Sequence, residues 1–349
     1  MDRTGQTFGG RYRLQRRLGQ GGMAEVYAAR DLRIDKAVAV KVMTSECAAL
    51  PRVAQRFVQE ARAASRIRHA NVLDVTDFGV ADDGVAFLVM ELLRGEDLAA
   101  TLEREGPLPW PRVGPIALQI CAALAAAHRV GVIHRDIKPS NCFRLHAPGN
   151  PDFIKVVDFG IARVLGSDRG GAEATTAGTV LGTPEYMAPE VAAGDDAGPR
   201  SDLYSVGALI YKLLTGAAPF VGDSYQAILS KQIFEPPVPL RRRAPAREIP
   251  EAVDALVLRA LAKDPAQRHA DMAALAVAIA DTLPERPDVA LWIEPTNVEP
   301  TVSLVDAVAE PTREPVTRPL TQADPPRAGR TVPLATPLAP LDRPRRWPR

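Results

Sequence analysis

At 349 residues the chain is long enough to bury one large core or two moderate ones, so one to three domains fit. A formal net charge of +1 supplies no long-range field to draw nucleic acid or anionic lipid. The N-terminus, Met1-Asp2-Arg3-Thr4-Gly5-Gln6, lacks the apolar core of a signal peptide, and Asp2 stands where myristoylation needs glycine. No apolar run reaches the length of a membrane span; Ile116 to Ala127 comes closest, contains Gln119 and ends at His128. Cys47, Cys121 and Cys142 are odd in number, widely spaced and without a C-x-x-C pair. They read as small buried hydrophobes in a reducing compartment, the cytoplasm.

Residues 11 to 30 predict two strands around a glycine turn: Tyr12-Arg13-Leu14, then Leu18-Gly19-Gln20-Gly21-Gly22-Met23-Ala24-Glu25-Val26-Tyr27. Glycines at 19, 21 and 22 let the backbone turn tightly and bring amide N–H groups near phosphate oxygens with no Cβ in the way. No Gly-Lys-Ser/Thr follows, so this is not a P-loop. The strand that follows fits a dinucleotide fingerprint poorly, because that motif opens a helix. Ala37 to Val42 is a short apolar strand broken by Lys41, which is either exposed or in need of a partner, since an unpaired buried ammonium is costly. Between Arg52 and Arg68, Phe57, Ala61, Ala64 and Ile67 fall at helical spacing, with Glu60 on the same general side as Ala64. Strands follow at Leu73 to Gly79 and Ala86 to Glu91, joined by Asp82-Asp83-Gly84. The chain reads as helical from Leu98, and a long alanine-rich helix runs from Trp110-Pro111 to about Arg129, ended by Gly131.

After the apolar pair Val132-Ile133 comes His134-Arg135-Asp136-Ile137-Lys138-Pro139-Ser140-Asn141. A carboxylate here can accept a proton from a substrate hydroxyl, a nearby ammonium can neutralise a migrating phosphoryl group, and an amide oxygen can hold a divalent metal. The strand Phe153 to Val157 then delivers Asp158-Phe159-Gly160, a second candidate metal-binding carboxylate. Together these motifs resemble the catalytic and metal-binding loops of protein kinases. Gly21-Gly22-Met23 and Thr183-Pro184-Glu185-Tyr186-Met187 look most like the eukaryotic-like (Hanks-type) serine/threonine kinases of bacteria.

The resemblance covers roughly residues 11 to 283. It implies an α+β, bilobal fold: a small β-rich N-lobe (11–91) with one regulatory helix, a hinge (91–96) and a larger, mainly helical C-lobe (97–283). It implies ATP and Mg²⁺ as cofactors, with Mn²⁺ as the alternative metal. Leu18 to Val26 would cover the nucleotide, with Ala24 in place of the third loop glycine. Ala39, Met90 and Phe143 would line the adenine site, and the backbone of Glu91 and Leu93 would bond the base. Phe143 departs from the aliphatic residue common in the family. Lys41 would pair with Glu60 and contact phosphates, Asp136 would act as base with Lys138 beside it, and Asn141 and Asp158 would hold metal. Lys138-Pro139 is the family's pattern for Ser/Thr acceptors. Thr183 would form part of the shelf for the acceptor peptide, its hydroxyl near Asp136 and Lys138. His134, Arg135, Phe159, Glu190, Asp202 and Arg268 would brace the site, Arg268 by pairing with Glu190. Asp202 would hold the catalytic-loop backbone, act as a simple helix N-cap, or do both.

The activation segment would run from Asp158 to Glu190, with Thr175, Thr176 and Thr179 as phosphorylation candidates or plain solvated loop residues. Phosphate there could draw Arg135 and Arg163 together. Helices are predicted from about Arg200 to Leu214, stopped by Gly216, and from Met272 to Leu283. From residue 284 to 349 the composition turns to Pro, Thr, Glu and Arg without periodicity, which predicts a disordered or extended tail. Glu-Pro-Thr recurs at 294–296, 299–301 and 310–312, read as compositional drift, or as threonines phosphorylated by the kinase itself or docking a phosphothreonine-reading partner. The expected partners are proteins bearing Ser or Thr acceptors, with no nucleic acid and no membrane span. Many relatives carry a span and a sensor domain after the kinase; with neither found here, input is expected from inside the cell. Two other readings remain at this point: a small-molecule phosphotransferase of the aminoglycoside type, and a pseudokinase scaffold working through its tail.

Overall fold

Short strands rich in Val, Ala and Tyr pair antiparallel in the N-terminal part of the chain. They are β1 (Thr7–Phe8), β2 (Tyr12–Gln20), β3 (Ala24–Asp31), β4 (Lys36–Met43), β5 (Val75–Val80) and β6 (Ala86–Glu91), in the order β1-β2-β3-β4-β6-β5. This computed structural model describes residues 2–22, 24–44, 47, 57, 61, 64–81, 83–147, 150–159 and 183–293. Met23, Glu60, Gly160, Arg163, Thr175, Thr176, Thr179 and the tail from 294 lie outside them.

Register decides which side chains meet. Val26 lies opposite Lys41, Lys41 opposite Leu88, and Ala39 opposite Met90. Side chains alternate across a sheet, so Val26, Ala39, Lys41 and Met90 share one face. Tyr27, Val38, Val40 and Val89 point the other way, into a core with Phe8, Tyr12 and Phe87, whose rings meet edge to face.

A second sheet, β7 (Gly95–Asp97), β8 (Cys142–Ala147) and β9 (Asn150–Val156), sits among the helices. These are α1 (Leu98–Glu105), α2 (Trp110–Arg129), α3 (Pro189–Ala192), α4 (Pro199–Thr215), α5 (Tyr225–Phe234), α6 (Leu240–Arg243), α7 (Glu251–Ala260), α8 (Met272–Ala280) and α9 (Ala290–Ile293). By length and composition α2 could cross a membrane, yet its residues are buried in the helical core against α4, α8 and β9. Its one uncharged polar residue, Gln119, is satisfied inside that core. Its amide accepts from Ile154 N (2.8 Å) and Asn71 Nδ2 (3.0 Å) and donates to the Asp152 carbonyl (2.8 Å). Cys121 and Cys142 are buried, and burial alone pushes the Cys121 thiol up to about 12; Cys47 is half-buried.

Several boundaries differ from the sequence reading: the strand expected at Leu73 to Gly79 spans Val75–Val80, and the one expected at Phe153 to Val157 spans Asn150–Val156. Phe57, Ala61 and Ala64 are helical, but Ile67 lies beyond the helix and reaches the core from a turn, its N–H bonded to the Ala64 carbonyl (3.0 Å). The helix from Met272 stops at Ala280, three residues before Leu283. Leu283 packs on Gly114 of α2 so closely that a Cβ there would lie 2.5 Å from Leu283 Cδ2, so apolar spacing is met without helix. Residues 284–293, expected to be disordered or extended, end in α9. There the Trp292 carbonyl accepts from His69 Nε2 (3.2 Å).

Candidate active site

The loop from α2 to β8 has no regular structure until Pro139–Asn141, so its backbone polar groups need partners elsewhere. Asp202, fully buried on α4, supplies them. Its Oδ2 accepts from His134 N (2.9 Å) and His128 Nε2 (2.8 Å), and its Oδ1 from Arg135 N (2.8 Å). It is not a helix cap, because α4 begins at Pro199 after Gly198. Arg135 and Asp158 both adopt left-handed backbone, φ 69° and 60°. Such conformations cost about 1–3 kcal/mol each in non-glycine residues and persist only where surroundings hold them. Arg135's side chain is exposed.

His134 is buried, with Nε2 on the Val157 carbonyl (2.9 Å) and Nδ1 facing Asp136 N (3.3 Å), and its ring lies 4.6 Å from that of Phe159. An acceptor on one side and a donor on the other fix the neutral ring with its proton on Nε2. Burial accordingly holds His134 below the ordinary histidine range, as it does His69 and His269. The sign follows. With folded values depressed, these three stabilise the fold above the unfolded value near 6.5, and that stability is lost as pH falls below it. Each extra proton bound by the unfolded chain is worth about 1.4 kcal/mol per pH unit, so the two buried rings, His134 and His269, give a slope of up to about 3, to which half-buried His69 adds less. Denaturation midpoints at pH 7.5, 6.5 and 5.5 should fall steeply over the last interval; a flat series would contradict the neutral burial of these rings.

Around Asp136 the side chains form one cluster. Its Oδ2 accepts from Lys138 Nζ (2.8 Å) and Asn141 Nδ2 (3.0 Å), while Lys138 Nζ also donates to Thr183 Oγ1 (3.2 Å). Asp136 Oδ1 and Asn141 Oδ1 accept no hydrogen bond from any described residue. From the N-terminal sheet, Lys41 Nζ reaches Asp158 Oδ1 at 2.7 Å. Burial would raise the Asp158 carboxyl, but the charge and hydrogen bond of Lys41 outweigh it and hold the group below the usual carboxylate range. Glu60, the expected partner of Lys41, lies outside the described residues; the carboxylate found on this ammonium is Asp158.

A nucleotide with its metal fits these residues. A Cβ added at Gly19 or Gly22 would meet nothing within 4 Å, so space lies open beside the β2–β3 turn. Neither glycine has a positive φ, so the absent side chain matters there, rather than a left-handed turn. At the hinge, Glu91 N is already bonded to the Asp74 carbonyl (3.1 Å), and the Glu91 carboxylate takes Lys155 Nζ (2.5 Å). Leu93 N–H and C=O are engaged by no described residue, so both are free to meet a base edge. Leu18 is exposed, Ala39 and Met90 are buried, and Phe143 is half-buried on β8, opposite Asp97 and Lys155. Among the described residues no three His, Cys, Asp or Glu side chains form a metal cage. Asn141 and Asp158 would offer Mg²⁺ an amide oxygen and a carboxylate, and this ion is commonly held by one or two carboxylates plus substrate phosphates and water.

The hinge exit depends on Gly95. A Cβ there would lie 1.9 Å from the Arg144 carbonyl, a backbone atom that cannot swing aside. Gly95→Ala should therefore lower the melting temperature and loosen nucleotide binding together; a variant with both unchanged would show that β7 and β8 separate easily. Farther from the cleft, Arg268 is buried with its guanidinium on both Glu190 oxygens (2.9 and 2.7 Å).

Fold and site together define a protein kinase domain. The protein kinase domain model matches residues 12–278, and the chain belongs to that family. It is 46% identical over 266 residues to the serine/threonine-protein kinase pkn3 of Myxococcus xanthus, covering 76% of this chain and 49% of that one. It is 39% identical over 282 residues to PknA of Mycobacterium tuberculosis, covering 80% and 62%. The chain thus spans about half to three-fifths of these relatives' lengths. The crystal structure of the M. tuberculosis PknI kinase domain superposes with a TM-score of 0.63 at 29% identity, covering 80% of this chain and 99% of that one. The domain is of the bacterial Hanks type.

Several contributing residues escaped the sequence reading. His128 marks only the end of the apolar run Ile116 to Ala127 in the sequence, yet it bonds Asp202. Gln232 on α5 is fully buried, donates to the Pro184 carbonyl (2.9 Å) and accepts from the Tyr204 hydroxyl, tying the 183–186 turn to α4. The available signal was a polar residue inside an apolar helical period.

Proposed function

We propose that this chain transfers the γ-phosphoryl group of ATP, with Mg²⁺ or Mn²⁺, to serine and threonine hydroxyls of proteins. Its substrates would include threonines of its own activation segment, Thr175, Thr176 and Thr179 being the candidates, in signalling within the bacterial cytoplasm. The observation that carries this reading is the single hydrogen-bonded cluster of Asp136, Lys138, Asn141 and Thr183, together with the ion pair that Lys41 of β4 makes with Asp158, two residues after β9. When bound, ATP with its metal would supply the transferable phosphoryl group and offset part of its charge. Asp136 orients the acceptor hydroxyl and takes its proton at Oδ1, the oxygen left free by Lys138 and Asn141. Lys138 stays fixed between Asp136 and Thr183, placing positive charge where negative charge develops. Asn141 and Asp158 would hold the metal through the amide and carboxylate oxygens, and Lys41 offsets charge beside Asp158. Positioning and electrostatics then supply most of the rate.

Incubation with γ-labelled ATP and Mg²⁺ together with generic protein substrates, followed by mass spectrometry, tests the reading. Label on Ser or Thr of proteins, including this chain, is the expected result. Label confined to small amino-alcohol compounds would point to a small-molecule phosphotransferase, and no label at all to a scaffold.

A further inference from the structure

We propose that the groove beside the acceptor site binds an anionic side chain of the substrate protein, a carboxylate or a phosphorylated residue near the Ser or Thr being modified, and that Lys212 recognises it. The inference rests on the protein-kinase reading above and adds a substrate preference to it.

The groove is open to solvent along one side, offers about 500 Å³ and shares Lys138 and Thr183 with the catalytic cluster, so a chain lying in it also lies beside the acceptor. That volume is within the range of ordinary ligand sites. Leu102, Pro107, Pro139 and Tyr186 give it apolar walls. Two charged residues of the lining are not used by the catalytic cluster, Lys212 and Glu103. They would select opposite substrates, and their settings decide between them.

Lys212 is half-buried in the last turn of α4, a helix otherwise sunk in the core. Its ammonium is already placed by a hydrogen bond to the Gly216 carbonyl (2.8 Å), and it has no carboxylate partner among the described residues. An incoming anion therefore meets a positioned cation and is spared much of the side-chain ordering that weakens surface ion pairs. Glu103 is exposed on α1, and no described residue holds its carboxylate. A cation recruited by Glu103 would have to order that side chain in high dielectric, where pairs contribute little. Lys212 also offsets the negative end of the α4 dipole. Without it, the same spot would favour cations.

The test uses the full chain with ATP–Mg²⁺ and peptides sharing one threonine acceptor. Each flanking position carries in turn Glu, phosphoserine, Gln or Lys, and kcat/KM for the charged peptide is divided by that for the Gln peptide. The wild type should favour Glu or phosphoserine at one or more positions by roughly five- to tenfold, tenfold being about 1.4 kcal/mol. Lys212→Met should bring that ratio close to one, and Lys212→Glu should turn the preference toward Lys. A phosphoserine ratio well above the Glu ratio would identify prior phosphorylation as the natural source of the anion. The wild-type ratio should also decline as NaCl rises from about 0.05 to 0.5 M, as screening shortens the reach of charge, a readout that survives if the variants do not fold. The inference is overturned if the wild type shows no anionic preference, if Lys212→Met leaves the ratio intact, or if a preference for Lys is found that Glu103→Gln removes. Failure of the wild type to phosphorylate any peptide or protein would instead strike the kinase reading itself.

Discussion

Asp136→Asn should cut phosphoryl transfer by about 10²–10⁴-fold, the usual range for loss of a general base, while the protein still folds and binds ATP. The geometry separates these effects. Both internal hydrogen bonds to the Asp136 carboxylate, from Lys138 Nζ and Asn141 Nδ2, end on the same oxygen, and Asn141 Nδ2 is held as well by the Asp136 main-chain carbonyl (2.7 Å). An amide can present its oxygen there and keep both. Its NH₂ then occupies the place of Oδ1, which has no donor among the described residues and is the atom assigned to the substrate proton. The variant thus removes the base and little else. Turnover against a protein substrate, with nucleotide affinity and melting temperature measured on the same preparations, checks this. Turnover within about threefold of the parent would contradict the assignment, since it falls far short of the range for a base. Loss of ATP binding would show that the charge at 136 serves the nucleotide instead.

Strand and helix identity followed from local pattern. The β2–β3 hairpin, the lysine-bearing β4 and the helix Trp110–Arg129 each announce themselves through period, glycine or proline. The candidate site was legible as a list of residue types, because a carboxylate, an amide and two lysines in a motif specify a chemistry. Which atoms meet was less so. Asp158 and Lys41 are separated by 117 positions, and nothing near either residue says that one will lie on the other. The same holds for Arg144 on β8, whose guanidinium joins Glu96 at the hinge exit (2.8 Å) and Asp152 on β9 (3.2 Å). Helix ends misled for a related reason. Ile67 and Leu283 sit at apolar spacings set by the core they enter, and a turn delivers them as well as another helical turn would.

Arg268→Ala carries the largest expected cost to the fold. The guanidinium is buried and each nitrogen is used: Nε donates to the Ala262 carbonyl (2.8 Å), Nη1 to Glu190 and the Arg200 carbonyl (2.7 Å), Nη2 to Glu190 and the Lys263 carbonyl (3.1 Å). It also lies over the Tyr204 ring, 5.1 Å from its centre. Truncation leaves three carbonyls without their donor and a partly buried carboxylate without its cation. Burial would raise the Glu190 carboxyl, and the Arg268 hydrogen bonds are what hold it below the ordinary range. Breaking one partner of such a pair costs about 3–5 kcal/mol, because the remaining charge stays buried. At about 2–4 °C per kcal/mol for a domain near this size, the melting temperature should drop by roughly 10 °C. Glu190→Gln in the same chain should recover part of the loss, since the stranded charge is then gone and Ser201 Oγ, which donates to Glu190 Oε1 at 2.8 Å, keeps an acceptor. Strictly additive losses in the double variant would mean that the arginine stabilises through its carbonyl contacts alone. The coupling also has a consequence for function. Glu190 lies in the first turn of α3, close behind the 183–186 turn in the chain, so a chain that loses this pair should lose affinity for protein substrate before it loses affinity for ATP.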